Sequence, residues 1–428
     1  MSSRVPSILL IVGAVGLIAA ECVMLSRAPA GERWFDAADR AVSTMVDKLE
    51  MVDTAPAFSR GEMENASILS GDADASPARV VLNFPKPKGF PRQGTWTSPR
   101  VSADFPFTEL LPSWNVITPA NTGVIFHVRT RDLASRRWSP WMLMGSWGRT
   151  TYKHRLDRSD FGWVDEDTLK LTRPADAYQV RATLQSYDFD AAVNPSVRRI
   201  AVVYSGSPDA DSAWANSMSP AALPAAAWAR SLDVPYFPQG DNADPIAGMT
   251  CSPTSVSMVL HYWGVNPPPM ENCLAIWDDR NEIFGNWSNA TQRAAELGMD
   301  AWLERFRNWE QVKAKIAQGQ PVIASILYEK GTFIESEALE KRQTEGHLLV
   351  IRGFTPQGDV IVNDPANRKI GNGLVLSARG MAHAWFAHGG VGYVIRPPAK
   401  PLPAALVKGP TTAPVASSVR GLGVSPER

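Results

Sequence analysis

Cysteine, histidine and net charge are scarce in this sequence, and each shortage narrows what the protein can be. The 428 residues contain three cysteines and six histidines, so every one of these side chains is a candidate for a specific role. The 43 Lys and Arg residues balance 43 Asp and Glu residues, and the formal net charge is zero. A chain without surplus positive charge gives no sign of a nucleic-acid partner, and one without surplus negative charge gives none of a basic partner.

The apolar run at the N-terminus is short for a membrane span. It covers residues 8–20 after the basic Arg4, which is about the length of the apolar core of an export signal. Glu21 interrupts the run, and small residues in this region offer points of cleavage. We predict that residues 1–30 are a cleaved export signal or a retained N-terminal anchor, and that the protein is exported, either secreted or periplasmic.

Changes of composition divide the rest of the chain. Apolar positions from Trp34 to Met51 recur at helical spacing, and residues 52–80 are polar, small and interrupted by Pro and Gly, which is typical of a linker. Further on, short alternating runs give way to a stretch that mixes helices and strands. The predicted sections are 1–30 as the export segment, 31–78 as a helix and linker, 79–206 as a β-sandwich domain, 207–230 as a second linker, 231–398 as an α+β domain, and 399–428 as a disordered tail.

The section 79–206 has the pattern of an all-β domain. Its short alternating runs, such as 80–84, 124–128 and 200–204, are separated by turn residues, which favours a β-sandwich or jelly roll. Its six tryptophans either fill the core and rim of the sandwich, because tryptophan buries a large area, or form an exposed platform that stacks on the sugar rings of a cell-surface carbohydrate. These residues are Trp96, Trp114, Trp138, Trp141, Trp147 and Trp163.

Cys251 is predicted to lie at the start of a helix. Apolar residues from Val256 to Trp263 follow it at the spacing of one buried stripe, and Pro253 suits a first helical turn. At a helix N-terminus the dipole and the unpaired N–H groups favour an anion, which lowers the pKa of a thiol and makes the nucleophilic thiolate available. We predict that Cys251 is a catalytic nucleophile. A buried structural cysteine, a disulfide to Cys273 and a zinc ligand are the alternatives.

A predicted hairpin supplies the histidine and the acid that such a nucleophile needs. His347 opens one strand and Asp364 ends the return strand, with a turn at 355–359 between them. An even-numbered loop puts the two side chains on the same face as near-diagonal neighbours, and an odd-numbered loop puts them on opposite faces. On the same face, the aspartate would fix the imidazole tautomer and leave the other ring nitrogen for the thiol. Asn363 is the alternative orienting residue, and Asp364 could instead start a turn.

Gln239 lies ahead of the cysteine, after the extended stretch 234–238. A side-chain amide near the nucleophile can donate to the oxyanion of a tetrahedral intermediate, alongside the backbone N–H of Cys251. A glutamine, a cysteine, a histidine and an aspartate in this order are the parts of a cysteine hydrolase.

Four motifs in this order resemble those of one known family. They are Val-Pro-Tyr-Phe-Pro-Gln at 234–239, Cys-Ser-Pro-Thr-Ser at 251–255, Gly-His at 346–347 and Asn-Asp-Pro at 363–365. The stretch 231–398 is similar to the bacteriocin-processing (double-glycine leader) peptidase-like family, a branch of the papain-like cysteine peptidases. The resemblance implies a papain-like α+β fold, with Gln239 as oxyanion donor, Cys251 as nucleophile, His347 as base and Asp364 as orienting acid.

One residue departs from the family pattern. Ser252 follows the cysteine where the family usually has glycine. A side chain at this point would narrow the cleft or signal altered activity. The family's processing peptidases act on leader peptides as parts of membrane transporters, and this sequence contains no transporter, so that substrate is not carried over.

Together these patterns predict an exported cysteine peptidase that hydrolyses peptide or amide bonds through a Cys-His-Asp triad and an acyl-enzyme, without a metal or cofactor. The alternatives are a catalytically inactive cell-surface protein that binds glycan or peptide, and a transpeptidase in which an amine replaces water. The expected partners are a peptide or protein substrate, a cell-surface carbohydrate at the β-sandwich, and a membrane at a retained N-terminus. No nucleic acid is expected.

Overall fold

Two sections of regular structure pack against each other in the computed structural model. The described residues are 46–70, 77–83, 90–151, 155–207, 222–242, 245–336, 339–399, 402 and 407. The predicted export segment at 1–30, most of the predicted linker at 207–230 and nearly all of the predicted tail lie outside these residues. None of the helices in the described part of the chain combines the length and the apolar character that a membrane span requires.

An antiparallel sheet of twelve strands forms the N-terminal section, which confirms the predicted all-β domain. Across the sheet, β2, β5, β11, β6, β12, β4 and β3 are neighbours in that order, and β1 pairs with β12. The bounds are β1 Val46–Val52, α1 Ala55–Ser59, β2 Glu62–Glu64, β3 Ala66–Leu69, β4 Arg79–Leu82, β5 Arg92–Thr97, β6 Val101–Ile117, β7 Thr122–Asp132, β8 Met142–Gly148, β9 Arg158–Ser159, β10 Gly162–Asp165, β11 Thr168–Ser186 and β12 Ser196–Gly206.

The region before residue 79 differs from the sequence prediction. Residues 46–52 are strand β1, paired along its whole length with β12, and do not continue the helix predicted from residue 34. The predicted linker over 52–80 contains α1, β2, β3 and the start of β4, and its strands belong to the same sheet. Periodicity failed here because strand pairing with a distant segment decides the structure, and local spacing does not register a distant partner.

A six-stranded antiparallel sheet with helices forms the C-terminal section, in the strand order β13, β18, β14, β15, β16, β17. This is the α+β architecture predicted for 231–398. The bounds are α2 Ala225–Trp228, α3 Cys251–Tyr262, α4 Pro269–Ile276, α5 Trp287–Glu296, β13 Asp300–Arg305, α6 Trp309–Ala317, β14 Val322–Tyr328, β15 Thr344–Phe354, β16 Val360–Asn363, β17 Asn372–Leu376, α7 Ala378–Trp385 and β18 Val391–Arg396.

Buried polar contacts join the two sections. The side-chain amide of Asn115 donates to the carbonyl of Ala301 at 2.6 Å and accepts from the N–H of the same residue at 3.3 Å. Gln292 forms the mirror arrangement with the backbone of Val116, at 2.8 and 3.0 Å. Each amide therefore satisfies a backbone donor and a backbone acceptor across the boundary. Three apolar side chains of the N-terminal section also belong to the core of the C-terminal section: Leu111, Ala201 and Val203.

Candidate active site

Helix α3 carries the candidate nucleophile on its first residue. Cys251 is partly exposed, whereas the helix behind it is buried from Ser252 to Leu260. Pro253 lies in the first turn, where its missing N–H costs no helical hydrogen bond. The hydroxyl of Ser255 donates to the carbonyl of Leu348 on strand β15 at 3.2 Å. This contact fixes the first turns of α3 against the strand that carries His347.

The hairpin that carries the histidine has an odd-numbered loop. Strands β15 and β16 pair Phe354 with Val360, which leaves residues 355–359 in the loop. In a regular hairpin, a loop of this parity puts His347 and Asp364 on opposite faces of the sheet. The length of this loop alone therefore argues against a contact between the two side chains.

A β-bulge restores the shared face. Ile351 pairs with Val362, and Gly353 pairs with Ile361, the neighbour of Val362. Arg352 is therefore an extra residue on β15. The bulge shifts the register by one position for the part of the hairpin beyond it, and a shift of one position exchanges the two faces of a strand. The histidine and the aspartate consequently point to the same side.

His347 and Asp364 are joined by a short hydrogen bond. Nε2 of the imidazole lies 2.8 Å from Oδ1 of the carboxylate, and both residues are buried. The imidazole also interacts with the thiol of Cys251, and this interaction lowers the pKa of the thiol and raises that of the imidazole. Because Nε2 is occupied by the aspartate, the remaining ring nitrogen is the one available to the sulfur. The structure thus brings three of the four predicted site residues into one series of interacting side chains.

The charges in this series reinforce one another. Burial opposes ionisation of Cys251, but His347 and the N–H groups of Leu348 and Ser252 outweigh it, so the pKa of the thiol lies below its ordinary value. Burial likewise disfavours the imidazolium, but Asp364 and the thiolate outweigh it and raise the pKa of His347. Burial also opposes ionisation of Asp364, and the charge and hydrogen bond of His347 more than offset it, so the pKa of this carboxyl is lowered. The arrangement favours a thiolate beside an imidazolium.

Gln239 lies in a short 3₁₀ turn near the loop that precedes Cys251. Its side-chain nitrogen donates to the carbonyl of Gly248 at 3.0 Å, which uses one of the two N–H groups of the amide. The oxygen of the same amide is buried and has no hydrogen-bond partner among the described residues. One N–H group is left for a further acceptor. The oxyanion role predicted for Gln239 stays a prediction.

Asn363, the alternative orienting residue, is used elsewhere. Its amide nitrogen donates to the carbonyl of Val234 at 3.0 Å, and its oxygen accepts from the N–H of Gly373 at 3.0 Å. The first contact ties strand β16 to the segment that leads to Gln239, and the second ties it to strand β17. Among the described residues, its contacts are structural, and Asp364 holds the imidazole.

Ser252 does not narrow the site, contrary to one expectation from the sequence. The residue is fully buried, and its hydroxyl lies 3.1 Å from the phenol oxygen of Tyr393 on strand β18. The side chain therefore points into the interior, towards strand β18. Glycine is not needed here because the interior provides a polar partner for the hydroxyl.

The sequence did not indicate the residues that surround the aspartate. Asn367 donates from Nδ2 to Oδ2 of Asp364. The phenol of Tyr236 donates to the backbone carbonyl of Asn367 at 2.8 Å. The one signal in the sequence is the short spacing between Asp364 and Asn367. This signal is weak, because Asn is also common simply as a turn residue.

The alternatives for the cysteines and tryptophans can be compared with the structure. Cys251 and Cys273 are both free, and the described ranges contain no group of three or more His, Cys, Asp or Glu residues that could hold a metal ion. Trp96 and Trp114 are buried, as the core interpretation requires. Arg129 stacks over the rings of two of the other four, Trp138 and Trp141. Binding of carbohydrate by this section stays a prediction.

Comparison with known proteins identifies two matching family models. Residues 231–392 match the model described as the Peptidase C39 like family. Residues 50–205 match the model described as the Peptidase C39 N-terminal domain. The two matches fall on the two sections of the fold. No match is found among curated proteins.

Solved structures show more distant similarity. A double-glycine motif protease from an AMS/PCAT transporter, in complex with a leader peptide, is 18% identical with a TM-score of 0.26, covering 39% of this chain and 94% of its own. Xylellain, a cysteine protease from Xylella fastidiosa, is 11% identical with a TM-score of 0.27, covering 44% of this chain and 94% of its own. A carbohydrate-binding module of the β-sandwich superfamily is 12% identical with a TM-score of 0.18, covering 39% and 56%. Similarity this distant does not support a function by itself.

Proposed function

We propose that this chain, a cysteine peptidase that belongs to the Peptidase C39 like family through residues 231–392, hydrolyses peptide bonds with Cys251 as nucleophile, His347 as base and Asp364 as orienting acid. The observation that supports these roles is the series of interacting groups, in which His347 lowers the pKa of the Cys251 thiol and hydrogen-bonds the carboxylate of Asp364 at 2.8 Å. Each group in it needs the next one: the aspartate stabilises the imidazolium, and the imidazolium stabilises the thiolate.

The first half of the reaction forms an acyl-enzyme. The thiolate of Cys251 attacks the carbonyl carbon of the scissile amide, and the carbonyl electron pair moves to oxygen. The backbone N–H of Cys251 and the free N–H of Gln239 are the proposed donors to this oxyanion. When the intermediate collapses, the C–N bond breaks and His347 gives its proton to the leaving amine. A thioester on Cys251 and a neutral imidazole remain.

The second half returns the enzyme to its starting state. A water molecule replaces the amine, and the neutral His347 takes a proton from it as the oxygen attacks the thioester. Collapse of the second intermediate breaks the C–S bond and releases the carboxylic acid. The thiolate leaves beside a protonated imidazole, which is the pair that the charges of this site favour. An amine in place of water would give transpeptidation by the same steps.

The site of action is a further part of the proposal. We propose that the enzyme acts outside the cytoplasm on peptides or proteins of the cell surface, which rests on the apolar run at 8–20 behind Arg4. The N-terminal sheet is proposed to bring the substrate to the peptidase section, and a surface glycan is the candidate ligand. Mass spectrometry of the mature N-terminus would decide between a cleaved signal and a retained anchor.

Replacement of the nucleophile tests the proposed reaction. Cys251→Ala removes the sulfur on which the proposed thioester forms, and we expect mass spectrometry to detect no hydrolysis of cell-wall peptides and proteins. Cys273→Ala is the matched control, because Cys273 is a second, fully buried cysteine with no part in the proposed reaction, and it should keep the activity of the parent enzyme. Hydrolysis by the Cys251→Ala protein at the parent rate would reject the proposed roles. Product masses would distinguish hydrolysis from transfer to an amine.

A further inference from the structure

The carboxylate that orients the histidine has two oxygens in different surroundings. Oδ1 of Asp364 accepts from Nε2 of His347 at 2.8 Å and from the N–H of Ala366 at 2.9 Å. Oδ2 accepts from Nδ2 of Asn367. The residue is only 3% exposed, so solvent has little access to either oxygen. Without the amide of Asn367, Oδ2 would be a buried charged oxygen with no hydrogen-bond donor in the described structure.

The orientation of this amide is fixed by a second residue. Nη1 of Arg342 donates to Oδ1 of Asn367. A guanidinium can only donate hydrogen bonds and an ionised carboxylate can only accept them, so the amide satisfies both neighbours in one orientation and neither in the flipped one. The positive charge on the oxygen side also polarises the amide and strengthens its N–H donor. Arg342 lies shortly before His347 in the chain, at the edge of the same site.

We propose that Asn367 is a positioning residue of this peptidase, which holds the carboxylate of Asp364 in the plane that His347 needs, and that Arg342 sets the orientation of Asn367. The inference rests on the proposed roles of Cys251, His347 and Asp364. It extends the series beyond Asp364 by two hydrogen-bonded residues, Asn367 and then the exposed Arg342. Asn367 and Arg342 do not touch the substrate in this account and act only through the aspartate.

The backbone around Asn367 is held independently of its side chain. Its N–H donates to the carbonyl of Asp364 at 3.1 Å, and its own carbonyl accepts from the N–H of Gly371 at 2.6 Å. The phenol of Tyr236 donates to the same carbonyl at 2.8 Å. Removal of the side-chain amide leaves these contacts in place. Asn367→Ala should therefore keep the turn and remove only the hydrogen bonds to the carboxylate and the guanidinium.

The test compares Asn367→Ala with the parent full-length enzyme. We expect kcat/KM to fall about tenfold to a hundredfold, mainly through kcat, by analogy with the loss of an outer hydrogen-bond partner of a metal-bound residue. Loss of the donor frees the carboxylate to turn and weakens its hold on the imidazolium, so the pKa of the thiol should rise. Alkylation of Cys251 by iodoacetamide, followed against pH, should therefore start at higher pH than in the parent. Asn367→Asp should be worse than Asn367→Ala, because it sets two carboxylates against each other.

Substitutions of arginine provide the matched comparison. Arg342→Gln should shift the alkylation profile in the same direction as Asn367→Ala, and Arg342→Lys should restore part of the loss. Arg368→Ala is the control, because Arg368 is the next residue in the chain, is exposed and pairs with Asp241 rather than with Asn367. If Asn367→Ala does not fold, Arg342→Gln provides the same test, because Arg342 is exposed and its replacement should not disturb the core. An alkylation profile that is unchanged in both Asn367→Ala and Arg342→Gln would overturn the inference, as would an equal shift in Arg368→Ala.

Failure of this inference and failure of the proposed function give different results. If Cys251→Ala abolishes hydrolysis while Asn367→Ala and Arg342→Gln behave as the parent, the catalytic roles stand and only the positioning role is wrong. If Cys251→Ala keeps hydrolysis, the proposed function is wrong, and the alkylation profiles still report whether Asn367 acts on the thiol.

Discussion

Two opposite pKa shifts define the chemistry at the scale of single residues. The pKa of Cys251 is lowered by His347, and the pKa of His347 is raised by Asp364 and by the thiolate. A thiolate beside an imidazolium is therefore the stable form between the two pKa values. Activity should rise as pH increases through the pKa of the thiol, which is lowered from its ordinary value of about 8.5. It should fall as pH increases through the pKa of the imidazole, which is raised from its ordinary value of about 6.5.

Residue types and their order are enough to indicate the residues that we propose as the reactive groups. Cysteine at a helix start, histidine and aspartate carry chemistry that few other residues can supply. Asn367 and Arg342 were not named, because asparagine and arginine serve many purposes and their contacts depend on how the turn after Asp364 folds. The direction of the Ser252 side chain could not be predicted from the sequence either, because its partner Tyr393 lies far along the chain.

At the scale of secondary-structure elements, one bulge decides whether the site can exist. The β15–β16 loop has the wrong parity for His347 and Asp364 to meet, and the extra residue Arg352 corrects it. The segment 230–232 supports the bulge. The N–H of Leu232 donates to the carbonyl of Arg352 at 2.8 Å, and the N–H of Phe354 donates to the carbonyl of Arg230 at 3.0 Å.

Gly353 is the residue through which this support can be tested. A Cβ atom at this position would lie 2.1 Å from the carbonyl oxygen of Arg230, so alanine must displace backbone. We expect Gly353→Ala to lower the free energy of unfolding by about 1–3 kcal/mol, as overpacking does, and to reduce activity by disturbing the register that brings His347 to Asp364. Urea denaturation and a peptidase assay measure the two effects.

Gly285→Ala is the control for stability, since a Cβ there meets nothing within 4 Å. Equal stability and equal activity of Gly353→Ala and the parent would contradict the role given to the bulge.

Local patterns predicted some elements and missed others for a common reason. The helix after Cys251 was predicted because its buried stripe is a local signal at helical spacing. Strand β1 was missed because it is held by β12. The bulge was missed for the same reason, because residues 230–232 lie far from it in sequence. Signals that depend on a distant partner are absent from local periodicity.

At the scale of the whole molecule, the N-terminal sheet is part of the peptidase body. Asp300, the first residue of β13, accepts hydrogen bonds from two arginines of β12, Arg198 at 2.6 Å and Arg199 at 2.9 Å. All three residues are buried. Together with the shared apolar core, these pairs argue that the sections fold as one unit. The linker predicted at 207–230 suggested two separately folded sections. Composition, however, gives no information about contacts between sections.

Asp300→Ala tests this cooperation. It leaves two buried guanidinium groups without their shared acceptor, and we expect a loss of about 3 kcal/mol in the free energy of unfolding. Calorimetry of the parent protein should show one thermal unfolding transition, and peptidase activity should be lost over the same temperature range. Asp165→Ala, which breaks a largely exposed pair with Lys170, should change stability by less than about 1 kcal/mol. Two well-separated transitions in the parent would contradict a single folding unit.

The rate of alkylation of Cys251 against pH tests the central claim most directly. Iodoacetamide reacts with the thiolate, and mass spectrometry reports Cys251 and Cys273 separately in one sample. Burial raises the pKa of Cys273 to about 12, which makes it the internal reference. We predict that Cys251 reacts readily at about pH 6, where a cysteine with a pKa of about 8.5 is less than about 1% ionised, and that His347→Ala abolishes this reaction. A rate that rises only near pH 8.5, equal in the parent and in His347→Ala, would contradict the thiolate–imidazolium pair.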